Sequence, residues 1–304
     1  MNLRDLRYLV ALADSGNFAR AANTCHVSQP TLSMQIKKLE DQLGVQLFER
    51  TSKRAVPTAA AKEIIAQARV VLAEADQLRA LARGAGDPFT GPLRLGVIPT
   101  LGPYLLPHLL PKIRAAYPQL RLYMREALTA ELLAQLRAGK LDACLVALPI
   151  DEHGLEHEPL FREPFMAALP AQHPLAKKKK LRQADLIGEQ ILLLEEGHCL
   201  RDQTLAVCGA RRGSDDDYPA TSLETLRQMV AAGIGITLMP ALATRTSAIG
   251  KRLLVFRPFA DSTPNRLIAL VWRRGYARVA VLHALAMLTR TALPPNVNAI
   301  KPRA

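Results

Sequence analysis

The chain has 304 residues, 49% of them hydrophobic, which suits two or three domains with sizeable cores. Its net charge of +13 points to an anionic partner, nucleic acid first among them, although the Lys177–Lys180 run and the C-terminal arginines supply much of the excess as solvated surface. Four cysteines (Cys25, Cys144, Cys199 and Cys208) are too few for a secreted disulfide scaffold.

Arg4, Asp5 and Arg7 interrupt the N-terminus before an apolar signal core can form. Leu3, Leu6, Leu9, Val10 and Ala13 recur at helical spacing, and Gly16 stops the helix. Asn17 then caps a short helix from Phe18 that packs through Ala21 and Ala22. His26-Val27-Ser28 is a turn, and Ser28 caps a third helix with Gln29 and Pro30 in its first turn, where a missing N–H costs little. That helix buries Leu32, Ile36, Leu39 and Leu43 and ends at Gly44. Its remaining face presents Gln29, Thr31, Ser33, Met34, Gln35 and Lys37, short polar groups suited to base edges and a lysine suited to phosphate. Gln46–Arg50 reads as a strand, Thr51-Ser52-Lys53-Arg54 as a basic turn and Ala55-Val56-Pro57 as the returning strand. Helix, turn, capped helix and basic hairpin occur in the order a winged DNA-binding head requires.

Thr58 to about Arg83 is Ala-rich helix with a stripe of Ile64, Ala68, Val71, Ala75, Leu78 and Leu81, which calls for a partner helix from a second chain. Arg83 to Pro92 has linker composition. Strands at Leu93–Val97, Leu120–Glu126 and Asp142–Leu148 then alternate with helices at Leu105–Tyr117 and Thr129–Ala138, the pattern of a parallel sheet with crossovers. Ligands gather at the carboxyl ends of such strands, where Thr100 and Thr129 stand. Each also reads as a plain helix cap. A second set of segments follows at Phe165–Leu169, Ile191–Glu195, Glu224–Ala232 and Ile236–Met239. The charge-free stretch from Gln228 to Thr244 is broken by Gly233, Gly235 and Pro240, so it reads as helix–turn–strand and not as a membrane span. Leu267–Trp272 and a helix from Arg278 to Leu293 return to the first lobe. The expectation is a cytoplasmic chain with two interleaved α/β lobes.

Cys199 and Cys208 are nine residues apart. In a helix they lie on opposite faces, separated by about 13 Å along the axis at ~1.5 Å per residue. A disulfide needs Cα atoms roughly 4.4–6.8 Å apart, so bridging them requires the segment to refold. His198 and Arg201 are read as favouring the thiolate. In a cytosolic chain such a bond is transient and regulatory.

Phe18-Ala19-Arg20-Ala21-Ala22, Ser28-Gln29-Pro30-Thr31-Leu32-Ser33, Leu43 to Arg50, and Ser222-Leu223-Glu224-Thr225-Leu226 to Met239-Pro240 resemble the LysR-type transcriptional regulators. The resemblance spans the whole chain. It implies a winged helix-turn-helix over 1–58, a linker helix and hinge over 59–92, and a two-lobed, periplasmic-binding-protein-like α/β effector domain over 93–304. Gly197-His198-Cys199-Leu200-Arg201-Asp202-Gln203 with Cys208 resembles the hydrogen-peroxide-sensing branch of that family. On that resemblance Cys199 is the peroxidatic residue and Cys208 the resolving one. Thr100, Thr129, His198 and Arg266 hold peroxide, and Gln29, Pro30, Thr31, Ser33, Gln35, Lys37, Arg50, Lys53 and Arg54 meet promoter DNA. The same resemblance implies a tetramer (a dimer of dimers), RNA polymerase as partner, cellular thiols as reductants, and no cofactor or metal. The chemistry consumes the protein stoichiometrically, so it is not enzymatic. Two rival readings are a regulator that pairs an organic anion with Arg201 and Arg266, and a thiol peroxidase or metalloenzyme carrying a DNA-binding head. His198, Cys199 and Cys208 lack the paired spacing of zinc ligands.

Neutralising Arg50, Lys53 or Arg54 is expected to weaken binding to all DNA sequences and flatten its salt dependence, whereas changing Gln29 or Ser33 alters base preference. Binding isotherms at several salt concentrations check this; the same uniform loss from both sets contradicts it.

Overall fold

The computed structural model describes residues 1–50, 54–83, 87–209, 219–244, 253–260 and 263–300. It divides into a unit holding Met1–Asp87 and a second unit that begins at Pro88.

Local capping chemistry sets out the head. Asn2 accepts from the N–H groups of Arg4 and Asp5 (2.9 and 3.1 Å), and the Asp5 carboxylate accepts from Asn2 N–H (2.8 Å). This reciprocal box starts α1 (Leu3–Ser15), and Gly16, at φ 60°, ends it. Asn17 caps α2 (Phe18–Thr24) through Arg20 N–H, and Ser28 caps α3 (Gln29–Leu43) through Thr31 N–H. Strands β1 (Phe48–Arg50) and β2 (Ala55–Pro57) pair antiparallel as the wing. The turn residues Thr51, Ser52 and Lys53 lie outside the described residues. Leu9, Leu12, Leu32, Ile36, Leu39, Leu47 and Phe48 form the head core. Helix α4 (Ala59–Arg83) closes that core with Ala61, Ile65 and Ala68, while Val71 and Leu78 stay exposed farther along.

In the second unit β3 (Gly91–Val97) pairs in parallel with both β4 (Leu120–Glu126) and β5 (Ala143–Leu148). The connections are α5 (Gly102–Ala116) and α6 (Thr129–Arg137). The parallel pairing expected of these three strands is present, and antiparallel strands extend the sheet. β9 (Asn265–Arg273) enters antiparallel beside β5, and β6 (Leu155–Pro170) runs antiparallel to β9. β6 is far longer than the Phe165–Leu169 segment that the sequence suggests. Its first half joins the first lobe, and its second half pairs with β7 (Thr237–Pro240) and β8 (Leu254–Arg257) in the other lobe. Ile191–Glu195 forms no strand; Ile191 and Leu194 make single bridges to Ile236 and Ala220. Helices α7 (Cys199–Cys208) and α8 (Leu223–Ala231) belong to this second lobe, whereas α9 (Val279–Ala292) returns to the first. The short β10 (Asn298–Ala299) borders β6. Each lobe has its own core, one around Leu95, Leu145 and Val271, the other around Leu169, Leu200 and Leu238.

Gly235 precedes β7 so closely against the chain that a Cβ there meets the Gln190 carbonyl oxygen at 2.6 Å. Backbone cannot yield as a side-chain tip does. Gly235→Ala is expected to cost on the order of 1–3 kcal/mol, read as a lowered midpoint in chemical unfolding. An unchanged midpoint contradicts the close approach.

Candidate functional site

The site gathers where strands end and helices begin. Gly197 adopts φ 90°, and a Cβ on it would lie 2.9 Å from Leu128 Cδ1, so glycine permits both the turn and its approach to the neighbouring segment. His198 and then Cys199 follow at the start of α7. Cys199 packs against the first lobe's core, while Leu200 and Cys208 are buried in the second. The helix thus carries one thiol toward each lobe, and all four cysteines are free.

Three elements converge on the Cys199 sulfur. Burial pushes its thiol up; the Arg266 guanidinium, the Thr129 hydroxyl and the backbone N–H groups at the start of α7 pull the other way. Thr129 is the first residue of α6. Its buried hydroxyl is near enough to favour the thiolate, yet it has no partner of good hydrogen-bond geometry among the described residues. Arg266 on β9 is fully buried. It donates through Nη1 to the Thr100 hydroxyl (2.8 Å), through Nη2 to the Thr100 carbonyl (2.9 Å) and through Nε to Glu163 (2.8 Å). The Thr100 hydroxyl therefore serves Arg266 and is not a helix cap; the N-cap position of α5 is Leu101.

Arg266 and Thr129 act on the Cys199 thiol, Thr100 is hydrogen-bonded to Arg266, and His198 adjoins Cys199 in the chain. Two expectations are corrected. His198 is buried, which lowers its pKa more than Glu195 raises it, so at neutral pH it is a neutral imidazole and not a supporting cation. Arg201 donates to the Leu194 carbonyl (2.9 Å), and the cation acting on Cys199 is Arg266 instead. Glu163 escaped the sequence reading. It lies directly opposite Arg266 in the β6–β9 ladder, wholly buried, 2.7 Å from Nη2, and it accepts Leu242 N–H at 2.8 Å. The other thiols sit elsewhere: Cys144 is buried in the first lobe's core and pushed up to about 12, and Cys25 packs beside the head core.

On the head, Gln29, Pro30 and Lys37 of α3 are exposed, and Thr31, Ser33 and Gln35 are half-buried. Thr31 Oγ1 is 2.7 Å from the Ser28 hydroxyl, so capping occupies part of its hydrogen-bonding capacity. Arg54 is exposed beside β2; Arg50 belongs to β1, and Lys53 lies outside the described residues.

Residues 3–62 match the bacterial regulatory helix-turn-helix proteins of the lysR family, and residues 86–293 match the LysR substrate binding domain. The chain belongs to the LysR family. Among its relatives is the DNA-binding transcriptional dual regulator OxyR of Escherichia coli, 50% identical over 277 residues that cover 90% of each chain. A probable hydrogen peroxide-inducible genes activator of Streptomyces viridosporus is 40% identical over 96% of this chain and 94% of its own. Among solved structures, a full-length Pseudomonas aeruginosa OxyR with a cysteine-to-aspartate substitution matches at TM-score 0.82 and 40% identity, covering 100% of this chain and 99% of that one. A Corynebacterium glutamicum OxyR cysteine-to-serine mutant with hydrogen peroxide bound matches at TM-score 0.63 and 35% identity, over 96% and 92% of the two chains.

For this LysR-family protein the raised Cys199 thiol fixes the sign of a pH dependence. Thiolate is scarce at neutral pH and grows as pH rises, so alkylation of Cys199 in the reduced protein accelerates from pH 6 to pH 9. Thr129→Val removes a group that favours the thiolate and shifts this profile to higher pH, by about one unit. Peptide-resolved alkylation rates check both; a profile at or below the wild-type position contradicts the role given to Thr129.

Proposed function

We propose that the protein is a DNA-binding transcriptional regulator that senses hydrogen peroxide through Cys199. The observation that carries this reading is a thiol beside a guanidinium and a buried, unpartnered hydroxyl, with a second thiol on the opposite face of the same helix. The Cys199 thiolate attacks one peroxide oxygen, an S–O bond forms, and the O–O bond breaks. Hydroxide leaves with the electron pair and takes up a proton to become water. Thr129 donates to the developing charge, Arg266 stabilises it, Thr100 is held beside them by Arg266, and His198 lines the site as a neutral ring. The sulfenic acid at Cys199 then condenses with the Cys208 thiol, forming the disulfide and releasing water.

Cys208 is buried and pushed up to about 11, so it stays protonated and unreactive while α7 is intact. Local unwinding exposes it and delivers it to the sulfenic acid. That change alters the packing of the effector domains and, through the linker helix, the placement of the DNA-binding heads, switching antioxidant genes. The exposed Val71 and Leu78 of α4 support pairing with a second chain, and two such dimers form the tetramer on promoter DNA. RNA polymerase is the downstream partner. Thiols of the cytoplasm reset the disulfide by exchange. Each subunit reacts once per cycle, as a switch and not an enzyme. Among the described residues no helix is long and apolar enough to cross a membrane. An organic-anion reading has less support, because Arg266 already faces Glu163 and Arg201 is engaged with Leu194.

One equivalent of hydrogen peroxide added to the reduced protein is expected to yield a Cys199–Cys208 crosslink. Cys208→Ser leaves a sulfenic acid at Cys199, and Cys199→Ser yields neither product. Peptide mass spectrometry reads all three, and unmodified Cys199 in the wild type overturns the proposal.

A further inference from the structure

The buried charge opposite Arg266 has no place in the peroxide chemistry itself, and its geometry is specific. Glu163 and Arg266 are register partners on β6 and β9. One carboxylate oxygen of Glu163 accepts from Nε (2.8 Å) and lies 2.7 Å from Nη2, which donates to the Thr100 carbonyl. The other takes the N–H of Leu242, in the turn that follows β7 (2.8 Å). Both side chains are sealed from solvent. Two residues farther along, β6 leaves β9 and begins to pair with β7. Glu163 thus stands at the crossover between the lobes, tied to β9 on one side and to the β7 turn on the other. A planar guanidinium held at Nε and Nη2 has its remaining direction fixed, and here that direction carries Nη1 to the Thr100 hydroxyl.

We propose that Glu163 is a positioning residue for the sensor thiol: it aims and partly neutralises Arg266, and so sets how strongly that cation acts at Cys199. The proposal rests on the peroxide-sensing reading for its biological meaning but not for its test, because Arg266 acts on the Cys199 thiolate whatever oxidant or alkylator attacks it. Two consequences follow. Without the carboxylate, the cation is uncompensated and the thiolate is favoured more strongly. The guanidinium also loses its fixed direction, because an amide has one acceptor oxygen for two donors and turns an NH2 toward one of them. Reactivity toward a small alkylator therefore rises near neutral pH, while reaction with peroxide per thiolate falls.

A double-mutant cycle of E163Q, R266Q and E163Q/R266Q in the full chain separates this role from structural support. The readouts are the pH midpoint of Cys199 alkylation by iodoacetamide and the rate of Cys199 oxidation by hydrogen peroxide. E163Q is expected to lower the midpoint by about one unit, and R266Q to raise it by a similar amount. E163Q slows peroxide oxidation per thiolate about tenfold. The double variant, a buried amide pair with no charge to aim or compensate, coincides with R266Q in both readouts. An E163Q midpoint equal to wild type overturns the proposal, as does a double variant whose shifts add. If E163Q alone fails to fold, R266Q against the double variant still decides, since any difference between them means that Glu163 acts without Arg266. A wild-type protein that is alkylated as described but ignores peroxide refutes the peroxide-sensing reading and leaves the positioning role standing.

Discussion

Arg266 is a charge sealed from water, and such a charge is tolerated only where its hydrogen bonds and a counter-charge are supplied together. Glu163 supplies the counter-charge, and Thr100 supplies two oxygens. These groups come from β6, β9 and the turn after β3, which are far apart in the chain and are brought together only by the folded sheet. The first lobe's mixed sheet is therefore the frame that holds a cation beside a thiol. Removing one member leaves the others unpaired, a loss of about 3–5 kcal/mol for a buried ion pair. The site's reactivity and the lobe's stability are consequently linked through the same bonds.

Helix α7 is set against that frame. Its first residue faces one core and its last is buried in the other. As a helix it holds the two sulfurs apart by more than a disulfide permits. Burial pushes both thiols above their ordinary range. The Arg266 charge, the Thr129 hydroxyl and the helix N-terminus offset part of that burial at Cys199, whereas Cys208 lacks such an offset. The two thiols of one helix therefore sit in unlike surroundings.

Much of the head was legible because its signals are local. Asn17, Ser28, Gly16 and Gly44 act on residues within one turn of themselves, and each does in the structure what its type and position imply. The effector unit was legible where apolar runs are short and regular, as in Leu120–Glu126. It was not legible in the first half of β6, where Glu156, His157, Glu158 and Pro159 hide a strand whose partner is β9. Arg266 and Thr129 were named on the resemblance and both act on the Cys199 thiol in the structure, but the cation nearest in sequence misled. Arg201 is two residues from Cys199, and residues so spaced on a helix do not face each other. Glu163 gave no local signal, since its importance comes from strand register with a residue 103 positions away.

Joining Cys199 to Cys208 requires α7 to give up its helix. Hydrogen exchange of the α7 backbone amides, followed by mass spectrometry before and after one equivalent of hydrogen peroxide, tests it most directly. Protection across 199–208 is expected in the reduced protein and is lost as the crosslink forms, with protection of β3, β5 and β9 retained. A crosslinked protein whose α7 amides stay as protected as before would contradict it.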